Sequence, residues 1–92
     1  MPVTLNDAKR LKEAGFPQDI GYWSMGDCKF PDDGELMEYL KQSRELDYVS
    51  WCDGGWVVHL HLRSEPIINK DLTSALVEAC IRVVEQKKRE GK

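Results

Sequence analysis

The stretch LDYVSWCDGGWVVHLHLR, residues 46–63, restricts the fold of this chain more than any other, because two alternating runs flank Asp53-Gly54-Gly55. Alternation at period two marks strands with one buried face. Asp-Gly or Gly-Gly between such runs supplies the positive φ angles that a two-residue hairpin turn requires. Register follows by arithmetic. A two-residue turn at Asp53-Gly54 or at Gly54-Gly55 puts Val49 and Trp51 on one face with Trp56, Val58, Leu60 and Leu62. A three-residue loop instead mixes polar and apolar side chains on each face. The hairpin therefore has a dry face, with Trp51 and Trp56 read as core, and a wetter face carrying Tyr48, Ser50, Cys52, Val57, His59 and His61.

Helices are needed to cover the dry face, and three are signalled. The first starts at Thr4, whose hydroxyl can cap a free backbone N–H, with Asp7 three residues on. It ends about ten residues later at Gly15, followed by Phe16 and Pro17. Gly accepts the left-handed C-cap conformation and Pro cannot continue the ladder. The second helix is announced by Pro31 and Asp32, with Glu35 placed to complete a capping box and Leu36, Met37 and Leu40 as its apolar stripe; it fades near Arg44. The last begins near Asn69 or Asp71 and carries Leu72, Leu76, Ala79, Cys80 and Val83 at helical spacing, which makes it the main lid on the sheet. Residues 20–25 read as a short strand and 64–69, around Pro66, as a loop. The expectation is an α+β two-layer sandwich, a short three-stranded, mainly antiparallel sheet packed against helices, in the order α-β-α-β-β-α.

Ninety-two residues enclose one core and thus one domain, and 41% hydrophobic with 32% charged residues lies well inside the globular range. Net charge is -3, against the basic footprint that phosphate backbones require, so no nucleic-acid partner is expected. The basic cluster of Arg82, Lys87, Lys88, Arg89 and Lys92 suits the negative end of the last helix. The N-terminus has charges from Asp7 onward and no apolar leader, and no window approaches a membrane span, so a cytoplasmic protein, neither secreted nor inserted, is expected. Cys28, Cys52 and Cys80 are odd in number and form no Cys-x-x-Cys pair, which fits a reducing compartment.

LKEAGFPQ after a short helix, Trp23, the PDDGELMEYL helix start, the GGWVV strand and the ALVEACIRVVEQ helix together resemble a loose group of short uncharacterised proteins encoded by bacteriophages and prophages. Members of that group tend to carry Pro-Thr where this chain has Pro31-Asp32. The resemblance spans most of the chain. It implies a setting, the cytoplasm of an infected bacterium, and supplies no catalytic motif.

His59 and His61 stand about 7 Å apart on one strand face, a spacing that serves a metal only if a further ligand joins them, and the sequence offers no second ligand cluster. Neither Cys28 nor Cys52 beside His59 is accompanied by an oxyanion loop or an orienting acid, so no catalytic residue is assigned. Asp32, Asp33, Glu35 and Glu38 fit a helix start, and Gly54-Gly55 joins antiparallel strands and opens no anion-binding helix. Aromatic side chains are favoured where partners dock. Tyr22 and Trp23, on a short strand, are thus the first binding candidates, with Tyr48, His59 and His61 beside them. The leading expectation is a non-enzymatic module, without cofactor or metal, that binds a host protein or assembles with its own copies, as a homodimer through an edge or through the wetter face. Two alternatives are a protein that sequesters a nucleotide-like small molecule between subunits, with Tyr22, Trp23 or Tyr48 stacking on the base, and a small metal-dependent enzyme built on His59 and His61.

Overall fold

Capping chemistry sets the helix limits in the computed structural model, which describes residues 3–17, 23–25, 28–61 and 65–90. Helix α1 spans Leu5–Ala14: Thr4 Oγ1 accepts from the Asp7 N–H at 3.2 Å, and Gly15, at φ 107°, closes it by donating to the carbonyls of Leu11 and Lys12. Strands β1 (Trp23–Met25) and β2 (Cys28–Phe30) follow. Helix α2, Asp33–Ser43, opens on a full capping box: the Asp32 carboxylate accepts from the Glu35 N–H at 2.8 Å, while the Glu35 carboxylate accepts from the Asp32 N–H at 3.1 Å. Strands β3 (Leu46–Cys52), β4 (Gly55–Leu60) and β5 (Ile67–Asn69) lead into α3, Leu72–Glu90. The Asp71 carboxylate caps α3 by accepting from the Ser74 N–H at 3.1 Å.

The class is α+β as expected, with a three-stranded antiparallel sheet in the order β3-β4-β5. Its element order differs from the expected one in two places. The strand expected over residues 20–25 appears as Trp23–Met25 and pairs with β2 in a separate two-stranded ribbon, with Trp23 opposite Phe30. The third strand of the main sheet is β5, inside the stretch expected to be a loop. Pro66 stands just ahead of β5, where its missing N–H interrupts no ladder, and three residues are too few to show alternation.

The hairpin turn lies at Asp53-Gly54, with φ 50° and 78°, so Cys52 faces Gly55, Trp51 faces Trp56 and Val49 faces Val58. This is the type I′ geometry whose twist matches that of the strands. Toward its start, β3 departs from simple alternation. By parity alone Asp47 would point to the core and Leu46 to solvent. A bulge between Leu46 and Tyr48 adds one residue on β3, so Leu46 pairs with Leu60 on the inner face and Asp47 is turned out beside Tyr48.

Val58, Leu60 and Ile67 form the buried face of the sheet, and Val49, Leu46 and Trp56 pack against them. Trp51 corrects the sequence reading. It shares the inner face, yet it lies at the turn end of an edge strand and is 57% exposed, with the Trp56 ring packed on it edge-to-face, centroids 5.3 Å apart. Leu62 lies outside the described residues. Helix α3 is buried over most of its girth, through Thr73, Ala75, Leu76, Val77, Ala79, Cys80, Ile81, Val83 and Val84. It packs on β4 and β5 with one side, on α2 with another and on α1 with a third. Polar ties fix these packings: Thr73 Oγ1 donates to Asp33 Oδ1 at 2.5 Å, Arg10 pairs with Glu78, and Arg82 Nη1 donates to the Glu65 carbonyl at 2.7 Å. The molecule measures 36 × 35 × 19 Å, thin enough for one helix layer on one sheet. Among the described residues no helix is long and apolar enough to cross a membrane.

The helix layer and the outer sheet face should differ in their sensitivity to truncation. Leu76→Ala, at a fully buried position, is expected to lower the unfolding free energy by about 2–5 kcal/mol. Ile68→Ala, at a residue 70% exposed, should change it by less than about 0.5 kcal/mol. Urea unfolding followed by tryptophan fluorescence measures both.

Candidate functional site

With the helices on one side, the other face of the sheet is left without a covering layer among the described residues. Cross-strand partners share a face in an antiparallel sheet. That outer face therefore carries Tyr48, Ser50 and Cys52 from β3, Val57 and His59 from β4, and Ile68 from β5, which stands opposite Val57. Ile68 is 70% and Tyr48 49% exposed, the largest apolar exposures on this face.

The bulge assembles its most structured corner. In a bulge two residues oppose one, so Asp47 and Tyr48 both meet His59. The Tyr48 and His59 rings stack with centroids 5.1 Å apart and planes within 4° of parallel, and Asp47 Oδ2 lies 3.0 Å from His59 Nδ1. Nδ1 itself is shielded from solvent and has no aligned hydrogen bond, so the carboxylate sits beside the ring nitrogen and off the N–H direction.

Catalysis is poorly served here. Ser50 is a diagonal neighbour of His59 and no hydrogen bond joins them. Cys52 lies four residues along an extended strand from Tyr48, about 13 Å, which removes the Cys52–His59 pairing. Its thiol is exposed and faces only Asp53 Oδ2 at 3.8 Å. Cys28 begins β2. Cys80 is fully buried and donates to the Leu36 carbonyl at 3.6 Å; burial pushes its thiol well above the ordinary range, which keeps it protonated and unreactive. An open groove of about 420 Å³ runs between α1 and α3, but it is lined by acid and base in mixture, Arg10, Glu13, Glu85 and Lys88 among them, and its Arg10 already holds Glu78 and Asp7.

The structure thus brings together Tyr48 and His59 of the sequence candidates. His61 follows β4 and is exposed, with its backbone N–H donating to the Glu45 carbonyl at 2.7 Å. Among the described residues no three His, Cys, Asp or Glu side chains are grouped to hold a metal ion. Trp23 opens β1, in the ribbon beside α1, and Tyr22 lies outside the described residues. Two members of the site were missed by sequence reasoning. Asp47 was signalled by its own misfit, a carboxylate at a core parity position next to a leucine at a solvent one. Ile68 was signalled by two β-branched residues directly after Pro66. Searches of protein-family models, curated proteins and solved structures found no match.

The two described thiols should separate cleanly. Iodoacetamide treatment of native protein followed by peptide mapping is expected to label Cys52 and leave Cys80 unmodified until the chain is unfolded. The same burial sets a pH response. Above the ordinary thiol value of 9.0 the unfolded chain releases the Cys80 proton and the folded chain retains it, so this residue's contribution makes stability fall as pH rises past that point. Chemical denaturation midpoints on both sides of it would show the decline, and Cys80→Ala should reduce it.

Proposed function

We propose that the protein is a non-enzymatic binding module that recognises a protein partner through the outer face of its sheet. The observation that carries this reading is one-sided coverage: α2 and α3 pack on the inner face, and among the described residues the outer one presents Ile68, Val57 and the Tyr48–His59 stack to solvent. Large exposed apolar and aromatic side chains grouped on one surface are the usual anchors of protein recognition.

Charge supports a protein over a phosphate-bearing ligand, since β3, β4 and β5 contain no lysine or arginine. A nucleotide bound on this face would have an aromatic ring to stack on and no strand-borne cation for its phosphates. The resemblance to phage and prophage proteins favours a host protein as the partner and the bacterial cytoplasm as the place. The Asp47–His59 pair adds a polar, orienting contact to an otherwise apolar patch.

The test uses a partner captured on immobilised protein from bacterial lysate, then purified and titrated directly. Ile68→Lys combined with Tyr48→Ala should weaken its binding at least tenfold, about 1.4 kcal/mol, while the thermal midpoint stays near that of the parent because both side chains are exposed. Unchanged affinity in the folded double variant would remove the outer face as the binding surface.

A further inference from the structure

We propose that β3 pairs edge to edge with β3 of a second copy of this chain, antiparallel and about a two-fold axis, joining two sheets into one of six strands. The pairing uses the open edge and the helix side of the sheet, so it stands apart from recognition through the outer face.

The two edges of the sheet are built differently. Strand β5 is blunted: it has three residues, with Pro66 just before it and Lys70 just after. Short length, proline and lysine are the ordinary devices that prevent edge pairing. Strand β3 has seven residues, and from Tyr48 to Cys52 it holds no charge, no proline and no glycine. Tyr, Val and Trp there favour extended chain. Its one protective feature, the bulge at Asp47, sits at the end far from the turn.

Hydrogen-bond polarity makes this edge self-complementary. Cys52 and Gly55 flank a two-residue turn and so exchange both backbone bonds. Alternation along the ladder gives the same role to Ser50 with Val57 and to Tyr48 with His59. Val49 and Trp51 therefore turn their N–H and C=O groups away from β4, toward an edge that no other strand pairs with among the described residues. Two residues, two apart, each offering one donor and one acceptor, match an antiparallel copy of themselves, and a two-fold axis closes the assembly at two chains.

Side chains flank that edge above and below. Trp51 is 57% exposed on the helix side and Tyr48 49% exposed on the outer side, so a second strand laid against β3 gives both rings a neighbour. Helix α2 packs against β3 while α3 packs against β4 and β5, which puts α2 over the same border. Its exposed Glu38, Lys41 and Gln42 would meet their counterparts across the axis, with opposite charges available to pair. Strand pairing by itself falls below the roughly 800 Å² per partner of a standard interface, so the dimer should dissociate on dilution.

Sedimentation velocity from low micromolar to near-millimolar protein, with amide hydrogen exchange read by NMR, tests this. The weight-average mass is expected to rise toward twice the monomer's, and exchange at the Val49 and Trp51 amides to slow in step with it. Trp51→Lys should hold the chain monomeric while circular dichroism stays native, and Ile68→Lys should leave association intact. A monomer at every concentration would overturn the proposal. So would a dimer in which the Val49 and Trp51 amides still exchange freely, or one that Ile68→Lys abolishes, which would place the contact on the outer face.

Discussion

The burial of α3 on three sides holds this fold together. A helix lying on a sheet needs one apolar stripe, whereas Ala75 to Val84 contains buried residues facing the strands, α2 and α1 in turn. None of these partners packs extensively against another without α3 between them, so a single helix supplies the shared wall of the core. Small residues make this geometry attainable. Ala75, Ala79 and Cys80 are completely buried, and their low bulk lets neighbouring backbones approach closely enough for the Cys80 thiol to reach the Leu36 carbonyl.

The bulge in β3 links that core to the surface. One extra residue keeps Leu46 against Leu60 and sends Asp47 outward, so the same irregularity that preserves apolar burial also creates the Asp47–Tyr48–His59 corner. Removing a carboxylate from the dry face avoids a desolvation cost of several kcal/mol, well above what a local disruption of one ladder position involves. Core packing and the outer chemistry are thus set by one backbone feature.

Much of the fold was legible because the signals were local. Thr4, Asp32 and Asp71 are caps whose side chains can be matched to amide donors three residues away, and Asp53-Gly54 fixes a hairpin register without reference to the rest of the chain. What escaped the sequence was non-local. Ile67–Asn69 gains its strand identity only by lying against Trp56–Val58, and Trp51 has a core pattern at a position the helix layer does not reach. The second apolar set of α3, Val77, Ile81 and Val84, was hidden because a helix read as a lid needs one stripe only. For the candidate site, Tyr48 and His59 were visible from alternation, while their contact with Asp47 depends on a phase change that periodicity does not carry.

The place of α3 along the chain also bears on how the molecule is made. Protein emerges from the ribosome in order, at roughly 5–20 residues per second, and the hairpin can zip as soon as residues 46–60 are free. Its inner face, with Val58 and Leu60, and the apolar side of α2, with Leu36 and Leu40, then wait for the helix that follows them. For the time needed to synthesise and release residues 72–84, a nascent chain has strands without a core. A longer wait for that helix to emerge lengthens the interval in which the uncovered inner faces of nascent chains on neighbouring ribosomes can stick together.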